Sequence, residues 1–330
     1  MEAAGPDLIE QLLGISWEAT WQGLVQHYAT VTWAFLLDLA VDYGVFLVSA
    51  LGLFVLFAAG QYSIGHAGLV GIAAYASAVF VVKLGVPFWP SLPLSGLAGL
   101  LAGLVYYYLL GMRLSGFYLA IATFAVSEAL VTVWLSVDYL GGALGFPAIP
   151  LRSEWPSVLI VVSVVLFGLW RLEKSRFWLN FLAIRESAVV AGAMGVNVAG
   201  TKMLAWAVGG FITGIGGNLH AHRVTIIWPG EFSLQFTFIL LLGVVLGGLR
   251  TFWGTVAGAA FVYFVPWLTT TDEPRYRLML YGLTIVLVLI FRPGGLLPAG
   301  APKARTAEDL RRIADKASAK PQGSTAPGAD

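Results

Sequence analysis

Gln61, Ser63 and His66 carry an amide, a hydroxyl and an imidazole into one apolar run, GQYSIGHAGLVGIAAYASA at 60–78, interleaved with Gly60, Gly65, Gly68 and Gly71. Side chains of these types bind polar solutes through hydrogen bonds and need no covalent step. At membrane depth such groups face a bundle interior or a wet cavity. Glycines among them suit a close helix crossing, or a broken helix whose free backbone groups meet a solute. Two readings therefore stand for Gln61, Ser63, His66 and Gly68: a substrate path, or hydrogen bonds that only tie helices together. Glu128 lies near the middle of the apolar stretch 117–136. A lone carboxylate there costs several kcal/mol unless it is paired or neutral, so it either lines a path or anchors a neighbouring helix. Thr213, Asn218 and Gln235 pose the same question more weakly.

Other chemistries find no support. The chain has no GxxxxGK[ST] phosphate loop, no HExxH and no GxSxG. The candidate metal ligands are His27, His66, His220 and His222, and the last two sit two residues apart, on different faces of a helix. The absence of cysteine removes disulfides, thiolate metal sites and thiol catalysis. The expectation is a protein that is not an enzyme and takes no metal or cofactor.

The elements that must position these residues follow from composition. Of 330 residues, 58% are hydrophobic and 11% are charged, where a soluble domain carries about 25% charged residues. No Asp, Glu, Lys or Arg lies between Asp42 and Lys83, nor within 114–127, 203–222, 232–249 or 251–271. A helix needs about 20 apolar residues to cross the hydrocarbon. The expected fold is an all-α polytopic membrane protein with roughly 8–10 transmembrane helices, placed at 31–57, 64–82, 92–112, 117–136, 156–171, 203–222, 234–249, 251–269 and 278–292. GxxxG pairs at Gly99/Gly103, Gly210/Gly214, Gly243/Gly247 and Gly254/Gly258 support a closely packed bundle. Residues 1–30 are expected to hold an interfacial amphipathic helix at about 6–29, and 299–330 to form a disordered tail. No Lys or Arg precedes Lys83, so no cleaved signal peptide is expected. With 171–202 in the cytoplasm, alternation puts 14 Lys and Arg inside and 5 outside.

The connection 171–202, RLEKSRFWLNFLAIRESAVVAGAMGVNVAGTK, is expected to hold one short helix from Asn180 to Met194, capped by Asn180 and ended by Gly195. Its small apolar face wants either a protein partner or its own bundle.

Five ordered motifs now carry a resemblance: GQYSIGHAGLVGIAAY (60–75), RLSGFYLAIATFAVSEAL (113–130), AIRESAVVAGAMGVN (183–197), LLGVVLGGLRTFWGTVAGAA (241–260) and YGLTIVLVLIFRPGGLLP (281–298). From about residue 43 to 298 the chain resembles the LivM-type permeases of branched-chain amino acid ABC importers. The resemblance implies a transmembrane permease domain at 31–298 in the bacterial inner membrane. It implies two cytoplasmic ATPases, a second permease subunit that is a different chain, and a periplasmic solute-binding protein, with no role for nucleic acid. ATPase coupling would fall on the 183–195 stretch, at Arg185, Glu186, Ala188, Ala191, Gly192 and Gly195, and the segment Gln61 to Gly71 would lie near the path. Two departures stand out. The loop VDYLGGALGFPAIPLRSEWP is shorter and less polar than the family's, and Arg250 replaces a common glycine. Branched-chain amino acids, urea and short amides all remain as solutes, and an ATP-independent secondary transporter is the rival class.

Overall fold

A computed structural model describes residues 33–268 and the single positions 282, 283, 286, 290, 295 and 296. Ten α-helices fill the continuous part. They are α1 (Trp33–Ala58), α2 (His66–Ala78), α3 (Phe88–Tyr106), α4 (Gly116–Ser136), α5 (Trp155–Glu173), α6 (Arg176–Glu186), α7 (Ala188–Ala193), α8 (Val198–Val224), α9 (Leu234–Gly247) and α10 (Phe252–Leu268). One π-helical turn extends α2 to Lys83 and another extends α3 to Gly111. Among the described residues six helices are long and apolar enough to cross a membrane, while α9 and α10 are apolar but shorter. The chain is an all-α polytopic membrane protein. The expected span at 278–292 lies largely outside the described residues, and the segment 6–29 and the tail 299–330 lie wholly outside them.

Two boundaries differ from expectation for local reasons. The expected single helix from Asn180 to Met194 is two helices, α6 and α7. Ser187 between them is extended (φ −161°, ψ 110°), and its hydroxyl accepts the Val190 N–H at 3.3 Å, which caps the second helix. Asn180 sits inside α6, not at its start. Gly195 does end α7, with φ +87°. The Gly195 N–H reaches the Gly192 carbonyl and the Val196 N–H the Ala191 carbonyl, the paired bonds of a Schellman stop. The expected span 203–222 begins earlier, at Val198, because the Asn197 side chain accepts the Gly200 N–H at 2.9 Å.

The bundle is built around α8, which packs along α3, α1 and α2. Its packing against α3 explains two of the GxxxG pairs. A methyl group added at Gly99 or Gly103 would run into the backbone of Gly210, Gly214 or Trp206, and one added at Gly210 or Gly214 into that of α3. The pairs at Gly243/Gly247 and Gly254/Gly258 interlock likewise between α9 and α10. The four motifs are thus two crossings seen from both sides. In lipid, where burial of apolar surface gives no drive, such backbone contact is what holds helices together. Exposed Leu97, Leu101, Ile121, Leu159, Val164 and Phe167 give α3, α4 and α5 apolar outer faces.

Long-range contacts sort the connections onto two ends. At one end Arg185 donates to the Leu249 carbonyl (2.6 Å) and Glu173 accepts the Phe252 N–H (2.8 Å). At the other, Phe146 pairs with Ile227, Arg223 bridges Asp38 and Asp42, and Lys83 lies over the Tyr139 ring (5.2 Å). This is the alternation the sequence requires.

Candidate functional site

Two helices begin inside the bundle, and side chains of their neighbours meet their free N–H groups. The first is α2. The chain leaves α1 at Ala58, turns at Gly60 with φ +68°, and resumes helix at His66. A side chain at Gly60 would be strained and would crowd the Arg185 backbone at 3.1 Å. The Ile64 and Gly65 N–H groups donate to Thr123 Oγ1 at 3.2 and 3.3 Å, and the Ala67 N–H donates to Thr237 Oγ1 at 2.9 Å. The second is α9, whose Leu234 N–H donates to Glu128 Oε1 at 3.1 Å. Helix α4 therefore caps both helices, using Thr123 and Glu128. Unmet donors at this depth would cost several kcal/mol each.

The expected path residues divide into two places. Gln61, Ser63, His66 and Gly68 gather around the start of α2, each closed off from the exterior. Gln61 accepts a hydrogen bond from Trp206 Nε1 at 3.3 Å. His66 Nε2 lies 2.9 Å from Thr213 Oγ1, whose own proton goes to the Gly209 carbonyl at 2.8 Å; Nε2 is therefore the donor. Ser63 Oγ, Tyr106 Oη and Ser127 Oγ are buried with no hydrogen-bond partner among the described residues. The latter two lie within 3.0 Å of where a Gly68 Cβ would stand.

Glu128 lies apart. It is half-buried at the edge of an open groove of about 530 Å³ between α4 and α9, lined also by Phe124, Ser233, Leu234, Gln235 and Phe238. Asn218, further along α8, is closed away from the groove, its amide reaching the hydroxyls of Ser77, Ser91 and Ser95 at 2.7, 2.9 and 3.1 Å.

Residues that sequence reasoning missed are those that complete these contacts: Thr123, Thr237, Trp206, Tyr106 and Ser127. A signal was available on α4, where Thr123 and Ser127 stand four residues apart, one helical turn, in an apolar span.

On the connection, α6 buries Trp178, Phe181 and Ile184. Arg185 is tied to Leu249 and lies 3.8 Å from Glu186, which is exposed. In α7 Ala191 is buried, Ala188 is half-buried and Gly192 is exposed. The outward positions are Val189, Val190 and Met194, which are 83%, 61% and 81% exposed. Val190 and Met194 belong to the small apolar face expected of this helix; Val189 escaped the sequence reading. His220 pairs with Glu231 (3.3 Å) and His222 with the Pro150 carbonyl (2.8 Å). No cluster of three metal-ligating side chains forms among the described residues.

The sequence profile of the family described as "Branched-chain amino acid transport system / permease component" matches residues 35–289. The chain belongs to that family. The permease is 28% identical over 319 residues to the high-affinity branched-chain amino acid transport system permease protein LivM of Salmonella typhimurium, covering 83% of this chain and 74% of that one. The Escherichia coli K12 LivM gives 27% over the same length, with the same shares. The autoinducer 2 import system permease protein LsrC of an Enterobacter species is 23% identical over 218 residues, 64% of this chain and 62% of that one. No solved structure matches. The protein is thus an ABC-type permease subunit and not an enzyme, a multi-pass protein of the bacterial inner membrane that works with ATPase subunits.

Proposed function

We propose that this permease imports branched-chain amino acids, as one of two membrane subunits driven by two cytoplasmic ATPases and supplied by a solute-binding protein. The observation that carries the solute is the likeness to LivM over 83% of the chain. The likeness to an autoinducer permease covers less of it. The membrane domain is 31–298, and the end that carries Arg113, Arg171, Lys174, Arg176, Arg185, Lys202 and Arg250 is the cytoplasmic one.

The connection 171–202 is the lever. In water, a six-residue helix showing Val189, Val190 and Met194 has no lipid to cover it, and a partner's groove removes that cost. Nucleotide-driven closure of the ATPases pulls on α7, and Arg185 passes the pull to the turn between α9 and α10 through its bond to Leu249. Alternating access follows if the two permease halves rock against each other. The solute path lies along the α4–α9 groove, because Gln61, Ser63 and His66 are enclosed, and Gln61 and His66 are bonded to Trp206 and Thr213 of α8.

The test is ATP-dependent uptake by the complex purified from its native membrane and reconstituted into vesicles with its binding protein. Accumulation of L-leucine, competed by isoleucine and valine and not by urea or acetamide, is the expected result. Urea uptake would move the permease to the amide carriers. Flux without ATP would overturn the importer reading altogether.

A further inference from the structure

The mechanism so far leaves Glu128 with one oxygen unused. Oε1 caps α9, while Oε2 has no partner among the described residues, and no Lys, Arg or His side chain pairs with this carboxylate. Glu128 is also the charged residue of the groove, whose other lining side chains are neutral. Its depth decides what can reach it. Twelve residues separate it from Gly116 and eight from Ser136, about 18 Å and 12 Å at ~1.5 Å per residue. Lipid headgroups stay nearer the surface than that, and a carboxylate turned toward acyl chains costs about 2.5–3.5 kcal/mol or more. Unless it is neutral or covered by a partner chain, the carboxylate therefore needs water or a cationic group in the groove. The groove is open to the exterior, and Phe124, Phe238 and Ile239 supply apolar walls beside the charge.

We infer that Glu128 is a specificity residue of the path: it receives the ammonium group of an amine-bearing solute while the apolar walls take the aliphatic side chain. This rests on the permease reading above and adds to it a chemical class, primary ammonium over neutral amide. The carboxylate is held by the α9 cap, so it needs no reorganisation when the ammonium arrives.

The chain contains no cysteine, so a single introduced thiol, read on this chain's own band after the subunits are separated, reports on the groove without background. Ser233 begins α9 without using its side chain as a cap, which makes Ser233→Cys a mild change. The complex is purified with its partner subunits, and labelling of that thiol by a small water-soluble reagent is timed. L-Leucine and 3-methylbutylamine should slow labelling, and 4-methylpentanoate, which lacks the ammonium, should not. Adding Glu128→Gln keeps the acceptor for Leu234 and removes the charge; protection by leucine should then weaken at least ~10-fold, the ~1.4 kcal/mol scale of one charged contact. Equal protection by 4-methylpentanoate, or protection unchanged in Glu128→Gln, overturns the assignment. So does a thiol that never labels, because the groove is then dry. Loss of the partner subunit on Glu128→Gln would give the carboxylate to a basic side chain of that partner instead. Uptake separates the two levels. ATP-dependent leucine uptake without amine protection leaves the importer reading standing and removes this inference. Amine protection without leucine uptake does the reverse.

Discussion

Thr123 holds more of the site together than its size suggests. Its hydroxyl donates to the Ala120 carbonyl at 2.8 Å and accepts two backbone N–H groups from the break before α2. Thr123→Val keeps the shape and strands both donors in a buried place, at a cost of about 1–3 kcal/mol for each group left unmet. A marked fall in the detergent unfolding midpoint is expected, and Thr123→Ser should recover most of it; equal midpoints for the two variants would show that the bonds contribute nothing. None of these partners was readable from the chain, because a hydroxyl's partner depends on which helices cross and at what depth. The polar residues themselves were legible: Gln61, Ser63, His66 and Glu128 stand out as costly in an apolar run. What they do there was open between holding and binding. The structure gives Gln61 and His66 neighbours to hold, and leaves Glu128 facing outward into a groove.

At the scale of the helix, most spans were readable from charge-free runs, since the membrane sets their length. The breaks were harder. Ser187 splits the expected coupling helix because a serine hydroxyl competes for backbone donors, and that choice is local and nearly balanced. The glycine pairs were visible, but their partners were not. The crossing of α3 and α8 makes a strong prediction: Gly210→Leu drives a side chain into the Gly99 carbonyl, and neither rotamer nor neighbour can relieve a clash with backbone. The variant should fail to yield monodisperse protein. Gly168→Leu on α5 has nothing within 4 Å of the added carbon and should purify like the parent. Size-exclusion profiles of the two decide it, and a monodisperse Gly210→Leu would mean the helices do not meet as closely as the structure places them.

Across the whole molecule, the two ends of the bundle are held by different means. At the end with Phe146 and Ile227, the connections pair with one another and Arg223 reaches two aspartates of α1. At the basic end, α6 and α7, the lever of the proposed function, are anchored by Trp178, Phe181 and Ile184 beneath and by the Arg185 guanidinium at the end of α6. A lever transmits force only if its tip is fixed to what must move. Among the described residues Arg185 ties α6 by side chain to the α9–α10 turn, and α9 starts at the Glu128 cap beside the groove, so under the proposed function one short route would join the docking surface to the solute path. Removing the tie should spare docking and loosen transmission. Arg185→Ala is expected to keep the ATPases bound in a pull-down, because Val189, Val190 and Met194 are untouched, while solute moved per ATP hydrolysed falls. Val189→Lys with Met194→Lys should instead release the ATPases. If Arg185→Ala loses the ATPases as well, the guanidinium belongs to the docking surface; if both coupling ratio and docking survive, force reaches α9 by another route.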